Sequence, residues 1–157
     1  PKVISSAINI AMAQRLVRKL CKACRKEMPL EGEIKENIEA IAKTILNPEY
    51  RPKQTDKMWV PVGCDVCGKS GYKGRVCILE AILVDDAVDA IIRSNPSERE
   101  VRQAAYPQGI LSMQQDGINK VLEGITSIEE LTRVIDLTIH TSDQSPGAES
   151  STLPTHY

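Results

Sequence analysis

Apolar residues recur along this chain at distinct spacings, and those spacings divide it into elements. Ile8, Met12, Leu16 and Leu20 fall four apart, with Ala13 and Val17 widening the stripe. That period predicts a helix over 4–20. Arg15, Arg18 and Lys19 near its end suit the negative pole of a helix dipole. A second helix is predicted over 33–46 from Ile34, Ile38, Ile41, Ile45 and Leu46, with Asn47-Pro48 as its stop. Residues 48–57 read as a loop. Met58-Trp59-Val60-Pro61-Val62 reads as extended; Gly68, Gly71 and Gly74 make a turn, and Val76-Cys77-Ile78-Leu79 returns as a strand.

Beyond that strand the pattern is helical. Val84 to Arg93 carries Val84, Val88, Ile91 and Ile92 on one face. Asn95-Pro96-Ser97-Glu98 is a helix start with Asn95 as cap, Ser97…Glu100 offers a second register, and this helix ends near Ala105. Another runs from Ser112 to Leu122 and is closed by Gly124. Thr126…Glu129 is a capping box for a last helix with the stripe Ile128, Leu131, Val134 and Ile135. Residues 141–157 are rich in Ser, Thr and Pro, so a disordered tail is predicted there.

Composition narrows the class. With 41% apolar and 26% charged residues, the 157-residue chain reads as one ordinary globular domain or two small ones. Twenty Lys and Arg oppose 21 Asp and Glu, and the aromatics are one Trp and four Tyr with no Phe. Balanced charge and few stacking surfaces argue against a dedicated nucleic-acid binder. No run of about 18 apolar residues predicts membrane insertion, and no export signal opens the chain, so a cytosolic setting is expected. A start at Pro1 instead of Met points to a piece of a longer protein.

Cysteine spacing supplies the chemistry. Cys21/Cys24 and Cys64/Cys67 are two Cys-x-x-Cys pairs with 39 residues between them. Two such turns offer four soft ligands in a tetrahedron and leave no position for water, so the expected metal is structural zinc. A redox pair, two disulfides, and iron in the four-thiolate site remain the other readings. Zinc among four thiolates leaves a double negative charge. Arg18, Lys19, Lys22, Arg25, Lys26, Lys69, Lys73 and Arg75 stand nearby in sequence to offset it. Cys77, among apolar strand neighbours, is expected to be a buried core thiol. Gly63-Cys64-Asp65-Val66-Cys67-Gly68-Lys69-Ser70 matches the phosphate-loop pattern G-x-x-x-x-G-K-[ST], but Gly71-Tyr72-Lys73-Gly74 is a poor helix start and two loop positions are metal thiols. It reads as a coincidence. The architecture expected is α+β, mostly α: a small zinc-ribbon-like knuckle with two short strands and a helical insert, then a helical C-terminal domain.

Several of these segments together resemble one family. Ala13-Gln14-Arg15-Leu16-Val17-Arg18-Lys19-Leu20-Cys21-x-x-Cys24 looks like the segment leaving the ATPase core of type II secretion and type IV pilus assembly ATPases. Gly63-Cys64-Asp65-x-Cys67-x-x-Ser70-Gly71-Tyr72-Lys73-Gly74-Arg75 is similar to their second metal knuckle. Glu80-Ala81-Ile82, Asp116-Gly117 and the run from Val121 to Glu130 resemble their helical C-terminal domain. The stretch 25–60 matches only loosely, and Cys77 stands where the family usually has a small residue.

The resemblance implies a cytoplasmic, hexameric motor, peripheral to the inner membrane, that drives a membrane platform protein to extrude pilin or pseudopilin subunits. It further implies that residues 1–20 leave a RecA-like core absent from this chain. Residues 21–80 would be the tetracysteine zinc domain, 81–140 the helical C-terminal domain and 141–157 the tail. ATP and Mg2+ would belong to the full-length parent alone, and no catalytic residue is expected here. A zinc-ribbon adaptor binding protein, or nucleic acid through Arg15–Lys26, is the competing function. An enzyme, working as an ATPase through Gly63–Ser70 or as a thiol redox protein, is the third.

Overall fold

The computed structural model describes residues 7–137, and the predicted tail at 141–157 lies outside them. In chain order the elements are β1 (Ile10–Leu20), β2 (Lys26–Pro29), α1 (Gly32–Lys43), β3 (Lys57–Val60), β4 (Tyr72–Leu83), α2 (Asp86–Ile92), α3 (Glu98–Ala105), α4 (Met113–Leu122) and α5 (Ile128–Thr132). The class is α+β, but the strands are longer and more numerous than the two short ones expected.

The largest correction is at the start. Residues 10–20 are a strand, not a helix, and they pair antiparallel with β4 from Ile10↔Leu83 to Arg18↔Arg75. A spacing of four is a multiple of the strand period as well as close to the helix period. Met12 and Leu16 therefore share a face in either form, and the partner strand some sixty residues away decides between them; an irregularity between Arg18 and Leu20 turns Leu20 inward. The two strands flanking the second cysteine pair lie in different sheets. β3 pairs with β2, and β4 pairs with β1.

Helix ends follow local chemistry with small shifts. Asp85 caps α2 by accepting from the Val88 amide. For α3 the cap is Ser97, in a capping box with Glu100; Asn95 instead takes a left-handed turn at φ 59°. Ser112 and Gln115 form the box of α4. The last helix is capped by Ser127, not Thr126, whose hydroxyl donates to the Arg18 carbonyl at 2.8 Å.

One core gathers these elements. Val17 and Ile78 enter it from the inner face of the β1–β4 sheet, Ile38 and Ile41 from α1, and Ile118, Val121 and Leu131 from α4 and α5. Val134 and Ile135 pack against it although α5 ends at Thr132. Ile34 and Leu46, expected on the buried stripe of the second helix, are exposed.

Candidate metal centre

Each cysteine pair sits in a tight turn at the end of a strand. After β1, the amides of Cys24 and Arg25 both donate to the Cys21 carbonyl, at 3.1 and 2.9 Å. Before β4, the amides of Cys67 and Lys69 converge on the Cys64 carbonyl at 3.2 and 2.8 Å. Gly71 ties the turns together. Its carbonyl accepts from the Cys21 amide at 2.9 Å, and its own amide donates to Cys67 Sγ at 3.2 Å. Its φ is +77°, and a Cβ there would run into Pro61, so only glycine fits.

The result brings all four predicted ligands together. The sulfurs of Cys21, Cys24, Cys64 and Cys67 lie within 4.8 Å of one another. Cys21–Cys64 and Cys24–Cys67 are each 3.9 Å apart, and Cys64–Cys67 is 3.8 Å. Tetrahedral zinc at about 2.3 Å from each thiolate sets sulfurs about 3.8 Å apart, whereas a disulfide needs about 2.05 Å. All five cysteines are free thiols. The donor set and spacing fit a closed, four-sulfur metal site.

Backbone amides prepare some of these sulfurs for negative charge. Burial pushes the Cys24 thiol up to about 11, against the Gly63 amide that donates to it at 3.3 Å. Burial also raises Cys67, but amides of Cys64 and Gly71, each 3.2 Å away, and its thiol neighbours outweigh it, bringing Cys67 down to about 6. A cation bound among them displaces the remaining protons.

Three of the cations expected to offset the site are put to other uses. Arg18 bonds Glu130 through its guanidinium at 2.6 Å and its amide at 3.0 Å, and stacks on Tyr72. Arg25 lies over the Trp59 ring and donates to the Gly124 carbonyl. Lys69 pairs with Asp65. Cys77 is not in the core: it stands opposite Leu16 on the outer face of the sheet and is half-buried.

Sequence reasoning missed Glu130, which is only 2% exposed and also bonds Arg133 at 3.0 Å. Its Arg18 partner is the larger of the forces holding its carboxyl below the usual range. No local signal marks it, because the partner that draws it inward, Arg18, lies 112 residues earlier. Tyr72 and Ser127, whose hydroxyls meet at 2.8 Å, complete this junction between the knuckles and the last helix.

A paired four-thiol cluster on a strand frame, locked to a helical unit, defines a module whose four cysteines could hold a metal ion. The chain belongs to the Type II/IV secretion system protein family, whose sequence profile matches residues 1–133. It is 38% identical over 134 residues to Type II secretion system protein E of Aeromonas hydrophila, covering 85% of this chain and 25% of that protein. To Type IV pilus assembly ATPase PilB of Pseudomonas aeruginosa it is 36% identical over 133 residues, covering 83% of this chain and 22% of that one. PilB of Thermus thermophilus matches at 34% over 137 residues, 87% of this chain and 14% of the relative. The chain thus spans a quarter or less of these relatives.

Proposed function

We propose that this chain is the metal-binding and helical C-terminal region of a hexameric motor ATPase that powers pilin or pseudopilin extrusion. Its own role is structural and coupling, without catalysis. The observation that carries this reading is the four-sulfur cluster at zinc-compatible spacing, inside a segment matched to a family whose relatives are named as secretion and pilus assembly proteins. Cys21, Cys24, Cys64 and Cys67 would hold the ion in a zinc-ribbon-like site, where it fixes β1 and β4 at one end and β2 and β3 at the other. ATP and Mg2+ belong to the remainder of the longer protein. The partners in this reading are further copies of the protein and an inner-membrane platform protein, with the motor on the cytoplasmic side. Among the described residues no helix is long and apolar enough to cross a membrane.

Two measurements test it. Protein produced with zinc available should carry close to one equivalent, read by elemental analysis. The longer polypeptide that includes this segment should hydrolyse ATP. Metal-free protein with both pairs oxidised under reducing purification would overturn the site, and absent ATP hydrolysis would overturn the motor.

A further inference from the structure

The two knuckles converge on one turn of the helical unit. Arg25 directly follows Cys24, and its amide donates to the Cys21 carbonyl at 2.9 Å, which sets its backbone in the first knuckle. Trp59 stands on β3, which runs through Pro61 to the second cysteine pair. The Arg25 guanidinium lies over the Trp59 ring, 4.3 Å from its centroid, and donates to the Gly124 carbonyl. Gly124 lies between α4 and α5 at φ +69°, and a Cβ there would run into the Trp59 indole. One side chain from each knuckle thus meets the same residue.

What brings those two side chains together is weak without the thiol cluster. Arg25 and Trp59 approach along the β2–β3 ladder, which runs only from Lys26↔Val60 to Pro29↔Lys57. Two strands of that length are marginal in water by themselves, and every residue of β2 is exposed. Leu30, 1% exposed, anchors the far end of the ladder. The near end opens onto the thiols, where no large apolar side chain is buried between Pro61 and Gly71. An ion among the four sulfurs would bond that end directly.

We propose that Arg25 and Trp59 form a clamp on Gly124 that metal occupancy closes, so that the state of the knuckles is passed to the turn between α4 and α5. This rests on the metal reading above. Without the ion, the near end of the ladder frays and the guanidinium leaves the ring. The turn then loses its hold at Gly124 but keeps two anchors on β1. These are the Leu20 amide on the Ile125 carbonyl and the Thr126 hydroxyl on the Arg18 carbonyl, so the helices stay formed. Linkage makes the coupling reciprocal: whatever the ion adds to the clamp, the clamp adds to the affinity for the ion.

Trp59 is the one tryptophan of the chain, so its emission reports the clamp. Chelating zinc from the loaded protein should shift that emission to longer wavelength. Amides of Ile125 and Thr126, which bond the Lys120 carbonyl, should then exchange about tenfold or more faster, while those of Ile118 and Val121 hold. Arg25→Met keeps the apolar stem and removes the guanidinium. It should weaken zinc binding about tenfold in chelator competition and show the emission shift with zinc bound. Lys22→Met removes an equal charge, from an exposed side chain beside the same knuckle, and should match wild type in both. One equivalent of zinc whose removal leaves emission and exchange unchanged overturns the clamp alone. Equal losses of affinity in Lys22→Met and Arg25→Met overturn it too, by showing that charge alone acts. A chain that binds no zinc removes the metal reading, and the clamp with it.

Discussion

The knuckles and the helical core lie against each other and are held by different forces. Between Pro61 and Gly71 no large apolar side chain is buried; Val62 and Val66 are 61% and 58% exposed. What holds that stretch is a set of amide bonds to carbonyl oxygens and sulfurs around four thiols. The core has the reverse makeup, with Ile38, Ile78, Ile118, Val121 and Leu131 all essentially inaccessible. Apolar burial there contributes about 1.5–3 kcal/mol for each large side chain. A segment without such burial needs a staple, and the sulfur cluster is the one within reach. The contrast teaches that the thiol cluster and the core serve separate parts of the chain.

Removing a thiol should separate them most sharply. Cys64→Ser is expected to take zinc from about one equivalent to near zero and to free the amides of 61–71 for exchange. The helical circular dichroism should change little, because α1, α4 and α5 pack on one another without the knuckles. Cys77→Ala is the control and should keep its zinc. Complete loss of helical signal in Cys64→Ser would mean that knuckle and core fold as one unit, and the contrast would fall.

How much of this could be read in advance follows the same division. The helices were legible because caps are local: Ser112 with Gln115 and Ser97 with Glu100 announce themselves within four residues. The gathering of four thiols was legible because two short turns with a fixed bite place them. β1 was not, since its spacing suits both periods and its partner is remote in sequence. Thr126 reads as a cap in the sequence because the competing demand, the Arg18 carbonyl, comes from a strand about a hundred residues earlier. The burial of Glu130 was hidden for the same reason.

Glu130 is where the two regions meet, and Glu130→Gln should weaken that junction by an intermediate amount. Glutamine keeps the shape but removes the charge that faces Arg18 and Arg133. About 1–3 kcal/mol of unfolding free energy should be lost at pH 7, read from urea midpoints. The pH dependence has a definite sign. The folded carboxyl titrates below its unfolded value, so its contribution is complete above the ordinary glutamate range near about pH 4.3 and fades as pH falls through the lowered value. Wild type and Glu130→Gln should therefore differ most at neutral pH and converge in acid. Zinc content should stay the same, since no thiol contacts this carboxylate. An equal gap at all pH values would show that shape, not charge, holds the junction.

Lys69→Ala should do least of all, and that near-absence of effect is informative. Lys69 occupies the lysine position of the phosphate-loop lookalike Gly63–Ser70. In a working loop the chain enters a helix at once and its amides point at phosphate. Here Ser70 leads through Gly71 into β4, and the amides of Gly63, Cys64 and Gly71 already donate to cysteine sulfurs. A phosphate would compete for donors that serve the metal site, and would approach sulfurs carrying negative charge. The Lys69 ammonium instead pairs with Asp65, at 2.8 Å, with 73% and 94% of the two side chains exposed. Solvent screens such a pair, so the substitution should change stability by less than about 0.5 kcal/mol and leave zinc at one equivalent. Lys69 has φ +65°, and alanine inherits the same strain, so the backbone cancels from the comparison. Titration of this chain with Mg-ATP should give no saturable heat. Micromolar binding abolished by Lys69→Ala would instead make the turn a nucleotide site and remove the reason for assigning ATP to the rest of the protein.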